Sequence, residues 1–244
     1  MICPPPLRLL IVGNSISLPP EEGVAAYPEL LEAKIGQQWE IHTIIRGGQA
    51  IDEFVSEVVA GLNEIAPQAL VLQIGINECA PRPLRRLERD RLGRLRPRWF
   101  QALIIRCIHR FRPQIIRLRG LNQFTQLAVF AKCVEGIVAT CAPLRCPMII
   151  LPIMSVTSAA EARQPMINRE IDRYADMLRS LNSCSVSYLE QCKLFKGSGP
   201  SDFCITQESV HLNSWAHEQI ANHVANWLGL LAPKDASEVQ GEIV

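Results

Sequence analysis

Four short segments carry residue types that together could perform acyl transfer. Ser15 lies in "IVGNSIS", just past an apolar run, and Gly47-Gly48 lie in "IIRGGQAI". Asn77 lies in "LQIGINE", and Glu208 and His211 lie in "ESVHLN". A serine hydroxyl is a poor nucleophile until a base takes its proton, and His211 can be that base. An imidazole in that role needs a partner that fixes its tautomer and stabilises its cation. Glu208, three residues earlier, reaches the ring if the segment turns tightly. The anionic intermediate needs donors, and the Ser15 N–H, the Gly48 N–H and the Asn77 amide are the expected oxyanion hole. Plainer alternatives exist for each. Ser15 could cap a short helix, Gly47-Gly48 could be a turn pair with Gly47 as the alternative donor, and Asn77 could bond its own backbone. His211 could be a surface histidine and Glu208 a solvated carboxylate.

These residues must be delivered by the elements around them. Short apolar runs at 7–13, 40–45, 69–75, 147–153 and 185–190 read as strands. Between them, 25–36, 50–62, 122–141, 159–181 and 214–231 show helical patterns. Buried strands separated by helices imply a parallel sheet in a doubly wound α/β sandwich. Ligands of such sheets sit outside the carboxyl ends of the strands. Ser15, Gly48 and Asn77 each follow a strand, and His211 precedes the last helix, so all should converge on one edge.

The composition fits one domain over 1–232, with a loose tail at 233–244. The chain has 244 residues, 48% hydrophobic and 20% charged, with net charge +1. Prolines stand where a secretory apolar segment would, and no run approaches the roughly 20 apolar residues of a membrane span. The nine cysteines form no C-x-x-C pair. A reducing, cytoplasmic location is expected. His211, His217 and His223 recur every six residues, which places them on different helix faces and argues against a metal site. No phosphate-loop or dinucleotide glycine pattern occurs, and acyl transfer by serine and histidine needs no cofactor, so none is expected.

One segment stands apart. Residues 82–119 hold thirteen arginines, no lysine, and only Glu88 and Asp90 as acids. The segment carries +11 and the rest of the chain −10. Trp99, Phe100, Leu103, Ile104, Ile108 and Phe111 fall at helical spacing within it. The plainest reading is an inserted helical piece over 81–120 that packs this apolar face on the sheet edge. The others are a docking surface for an anionic substrate or carrier, with Arg82, Arg85 and Arg86 nearest the Asn77 loop, and a membrane-surface helix. No recognised nucleic-acid module accompanies the arginines, so specific nucleic-acid binding is not expected.

Taken together, the four blocks resemble those of the SGNH, or GDSL, hydrolases, in the same order. "IVGNSIS" looks like the first block with Ser15 at the nucleophile position, and "IIRGGQAI" like the second with Gly48 at the glycine position. "LQIGINE" is similar to the G-x-N-D block at Asn77, and "ESVHLNSWAHEQIANHV" to the D-x-x-H block at His211. Asn14, Glu78 and Glu208 stand where aspartate is usual. The resemblance implies a three-layer αβα sandwich with a flavodoxin-like, five-stranded parallel sheet, here carrying an Arg-rich helical insertion. It also implies a serine esterase acting on small O-acyl esters, such as acetylated sugars, with Ser15, His211 and Glu208 as the triad. An O-acyltransferase on a glycan, or a non-catalytic binding protein that docks an anionic partner through 82–119, are the alternatives.

Overall fold

The apolar run Leu7–Gly13 forms strand β1, which has a parallel partner on each side. The computed structural model describes residues 5–120 and 122–231. The expected tail at 233–244 lies outside the described residues. β2 (Trp39–Ile45), β3 (Ala69–Gln73), β4 (Met148–Ile150) and β5 (Val186–Tyr188) complete one sheet in the order β2-β1-β3-β4-β5. All four pairings are parallel. Every residue of β3 is buried, which is why its run shows no polar alternation. The strand order reverses direction at β1, and in such sheets ligands bind at that switch point, outside the carboxyl ends of β1 and β3.

The helices, in chain order, begin with α1 (Tyr27–Ile35), α2 (Val55–Ile65) and α3 (Ile76–Cys79). α4 (Arg86–Gly93), α5 (Arg98–Arg110) and α6 (Arg112–Arg119) make up the insertion. α7 (Leu127–Cys141), α8 (Ser158–Arg163), α9 (Ile167–Ser180), α10 (Gln191–Phe195), α11 (Pro200–Phe203) and α12 (Ser214–Leu231) follow. α1 packs on α12, and α2 and α9 pack on α7, forming the helical layers of an αβα sandwich. Among the described residues, no helix is long and apolar enough to cross a membrane.

Two expectations from the sequence are corrected. The helical pattern at 159–181 is not one helix: α8 ends at Arg163 and α9 starts at Ile167, with Met166 left-handed at φ 70°. Pro165 lies in the gap, and proline inside a helix removes a donor and clashes with the preceding turn. The apolar stripe of the insertion also does not pack on the sheet edge. α5 buries none of its residues, and Trp99 is 70% exposed. Its arginines flank the stripe too closely to be desolvated with it. The insertion is held by polar contacts instead. Arg86 grips Asp52 through two hydrogen bonds of 2.8 and 3.1 Å, and the Thr125 hydroxyl donates to the same carboxylate. Burial favours the neutral form of Asp52, but these bonds outweigh it and hold the carboxyl below its usual range.

Two buried titratable groups hold the site edge in place. Glu78 accepts the Ile51 N–H at 2.6 Å and the Gly75 N–H at 2.9 Å, tying the segment after β2 to the segment after β3. Burial pushes its carboxyl up to about 7, against the pull of those bonds. On α12, His217 accepts the Tyr27 N–H through Nδ1 at 3.2 Å and stacks on the Tyr27 ring. Burial, with a smaller contribution from the neighbouring His211, pushes the His217 imidazole down to about 4.

The His217 shift has a defined sign. The folded state binds the imidazole proton less well than the unfolded chain, so this contribution is complete above about pH 6.5 and is lost as the pH falls toward 4. It amounts to about 3 kcal/mol. Urea unfolding of the wild type and His217→Gln across that window is expected to show a shallower acid loss in the variant, by about that amount. Glu78→Ala leaves two buried N–H groups without acceptors and is expected to cost about 2–4 kcal/mol. Denaturant unfolding at pH 4 checks it, because there the carboxyl is largely protonated in the folded and unfolded chain alike and relief of charge burial contributes little.

Candidate active site

β1 ends at Gly13, where an added Cβ would lie 2.1 Å from the Ser17 hydroxyl. Glycine here lets Ser17 fold back and donate to Gln73 Oε1, at the end of β3, at 2.6 Å. The chain then makes a one-turn 3-10 helix over Ser15–Ser17. Its cap is Asn14, which is buried and extended, and whose Oδ1 accepts the Ile16 N–H at 3.0 Å. The Ser17 N–H bonds the Asn14 carbonyl at 3.0 Å. With Ile16 and Ser17 supplied, the Ser15 N–H is the donor that the turn leaves over. Among the described residues the Ser15 hydroxyl makes no hydrogen bond. Ser15 therefore is not the cap.

The segment after β2 approaches from one side. The Arg46 N–H bonds the Gly13 carbonyl at 3.0 Å and extends the ladder past the strand end. Gly48 follows at φ +72°, a left-handed conformation that a side chain would strain, with open space around it. From the other side comes Asn77 in the first turn of α3. Its amide Nδ2 donates to the Gln49 carbonyl at 2.9 Å, which leaves one amide hydrogen for another acceptor. Arg82 Nη2 donates to Asn77 Oδ1 at 3.4 Å and to the Asn77 carbonyl at 3.3 Å, and so fixes which end of the amide faces the Gly48 loop. Ser15, Gly48 and Asn77 thus sit on three neighbouring strand ends, β1, β2 and β3.

His211 sits in the segment that leads into α12. That segment is a narrow loop: Cys204 bridges Leu212, the Ile205 N–H bonds the His211 carbonyl at 3.0 Å, and the His211 N–H bonds Ser209 Oγ at 2.9 Å. Half-burial lowers the His211 pKa, so its ring is held in the neutral form that a base requires. Glu208 lies in the turn just before it, with its carboxylate paired to Arg163 at the end of α8. Among the described residues, no hydrogen bond joins Glu208 to the His211 ring, or His211 to Ser15.

The three arginines nearest the Asn77 loop have different surroundings. Arg85 is exposed and its N–H caps α4 through Glu88 at 2.8 Å. Arg86 is committed to Asp52. Arg82 is largely buried with its guanidinium 4.6 Å from the Phe124 ring centroid, and burial pushes its pKa down to about 10. Among the described residues, no group of three or more histidine, cysteine or acidic side chains is arranged to hold a metal. Sequence reasoning did not find Arg163, which lies 45 residues from Glu208 without a shared motif. It also did not find the Glu78 bond to Ile51, although the carboxylate next to Asn77 was a visible signal.

No family model and no curated protein matches the chain. Solved structures match at the level of fold. A lipase/acylhydrolase from Enterococcus faecalis has a TM-score of 0.61 and 13% identity, covering 94% of this chain and 100% of that one. The acetylxylan esterase Axe2 from Geobacillus stearothermophilus, as a catalytic mutant, has a TM-score of 0.59 and 14% identity, covering 93% and 95%. A protein of the G-D-S-L family from Desulfitobacterium hafniense has a TM-score of 0.57 and 10% identity, covering 90% and 98%. Five parallel strands in a flavodoxin-like order, inside an αβα sandwich, are what this chain has in common with them, so the expected fold class is the observed one.

Proposed function

We propose that the chain is a serine-dependent ester hydrolase with Ser15 as its nucleophile. The observation that carries this is the turn at the end of β1. Asn14 does the capping, which leaves both the hydroxyl and the N–H of Ser15 uncommitted at the sheet's switch point. In the proposed reaction Ser15 Oγ attacks the acyl carbonyl while His211 takes its proton. The oxyanion is held by the Ser15 N–H, the Gly48 N–H and the remaining Asn77 amide hydrogen. His211 then gives its proton to the leaving alcohol, and water, activated by the same ring, releases the acyl group from Ser15. A small O-acyl ester is the proposed substrate class. The acetylxylan esterase among the fold neighbours supports an acetylated sugar.

Glu208 is proposed to orient His211 once it leaves Arg163. That pair is exposed on both sides, 52% and 58%, and such pairs contribute only about 0–1 kcal/mol, so the exchange costs little. The Glu208–Arg163 pair also favours a second reading. A chain whose acid stays with Arg163 would be a non-catalytic binding protein on the same fold.

A fluorophosphonate probe and p-nitrophenyl acetate separate the two. Labelling and turnover are expected in the wild type, with kcat down at least about 10³-fold in Ser15→Ala and in His211→Ala. A wild type that neither labels nor turns over overturns the hydrolase. Within an active enzyme, Glu208→Gln is expected to lower kcat by about 10²-fold or more while Arg163→Ala leaves it unchanged or higher. An equal loss in both variants would instead make the ion pair itself the element that positions His211.

A further inference from the structure

The insertion forms a half-open cavity of about 180 Å³ between α4, α5, α6 and the segment that carries Phe124. Its cationic lining is Arg82, Arg89 and Arg112, with His109 beside them, and no carboxylate lines it. Its walls are otherwise mostly apolar and include Phe124, Leu92 and Ile108. Arg82 and Arg89 stand 4.6 and 4.8 Å from the Phe124 centroid, with Arg86 farther off at 5.7 Å. The Nε atoms of Arg82 and Arg112 are buried without a hydrogen-bond partner. Among the described residues neither arginine has a salt bridge, and Arg89 meets only Asp90, at 3.7 Å, at the surface. The other acid of the insertion, Glu88, is taken by Arg119.

This arrangement is costly as it stands. A buried cation is tolerated when an anion compensates it, and here burial lowers the pKa of both Arg82 and Arg112. The neighbouring cations add to the cost for Arg82, since Arg112 and Arg89 repel it. A planar guanidinium suits a carboxylate or phosphate, which it can meet with two parallel bonds.

We propose that this cavity binds a small amphiphilic anion. A single carboxylate or phosphate headgroup would sit against Arg82, Arg89 and Arg112, and a short apolar body against Phe124, Leu92 and Ile108. The acyl-transfer residues do not line the cavity, but it adjoins them on two sides, since Arg82 bonds Asn77 and Arg112 lies near Arg163, the partner of Glu208. It does not depend on the chain being a hydrolase.

Sodium butyrate, butyl phosphate and butan-1-ol are suitable probes, titrated calorimetrically into the full chain carrying Ser15→Ala, so that binding at the nucleophile and turnover are both excluded. At least one of the two anions is expected to bind, and the alcohol at the same concentration is not. Tighter butyrate identifies an organic acid, and tighter butyl phosphate a phosphomonoester. Arg112→Gln is expected to weaken binding at least tenfold, and Leu92→Trp, which fills the cavity, to abolish it. Because either variant could disturb the insertion, backbone amide shifts of the parent chain provide an independent check. They are expected to move at Phe124, Ile108 and Leu92. Failure of both anions to bind, equal binding of the alcohol, or shifts confined to the Ser15 edge would each overturn the proposal.

Discussion

The buried carboxylate of Glu78 is the contact on which the geometry of the site edge depends. A parallel sheet delivers its strand ends to one side, but it does not fix the loops that leave them. Glu78 does this by accepting one N–H from the segment after β2, at Ile51, and one from the start of α3, at Gly75. It is 1% exposed, so each of those N–H groups would otherwise lie buried with no acceptor. The Asn77 amide adds a second tie between the same two segments through the Gln49 carbonyl. The Gly48 N–H and the Asn77 amide are therefore held relative to each other by two side chains that are adjacent in sequence. The carboxyl at about 7 follows from this position: water is excluded, and the two backbone donors only partly offset the loss.

The insertion obeys a different balance. Its apolar residues supply little burial, since Ile116 is the only buried residue that α4, α5 and α6 contribute. Its attachment is electrostatic, through Arg86 on Asp52, and through the backbone bond from the Arg82 N–H to the Asn122 carbonyl at 2.7 Å. The two arginines, four residues apart on the same entry to the insertion, show what decides a guanidinium's role. Arg86 meets a carboxylate, and its pKa is raised by that bond. Arg82 meets an aromatic face and an amide, and its pKa is lowered by burial. One is an anchor, and the other is a cation held ready beside a cavity.

The centre of the sheet was legible in the sequence because β1, β3 and β4 are buried on both faces along most of their length. Runs such as Leu9–Val12 and Leu70–Leu72 have no polar interruption to mislead a reader. The expected strand at 7–13 and the final helix at 214–231 have the observed bounds. What periodicity could not show depended on contacts distant in the chain. Helical spacing ran through Pro165 because an amphipathic pattern can continue on either side of a break. The apolar spacing of Trp99, Phe100 and Leu103 was real, but periodicity says which residues share a face and not whether anything covers it. The carboxylate of Glu208 was expected near His211 from its spacing alone. Its pairing with Arg163 depends on where α8 ends, which the sequence near His211 does not encode.

Ser15 posed the most local of these questions, and the answer turned on its neighbour. A serine at the start of a helical turn would normally be explained by the backbone it caps, since a hydroxyl that satisfies an orphan N–H needs no further role. Asn14 removes that explanation. Its amide oxygen reaches the Ile16 N–H with an extended backbone of its own, and it is buried, so water cannot replace it in that bond. An aspartate here would bring a charge into the same buried position and would need more donors than the turn offers. Asparagine supplies the acceptor without the charge. Asn14 thus satisfies the turn by itself, and it leaves the next residue's hydroxyl free at the end of β1.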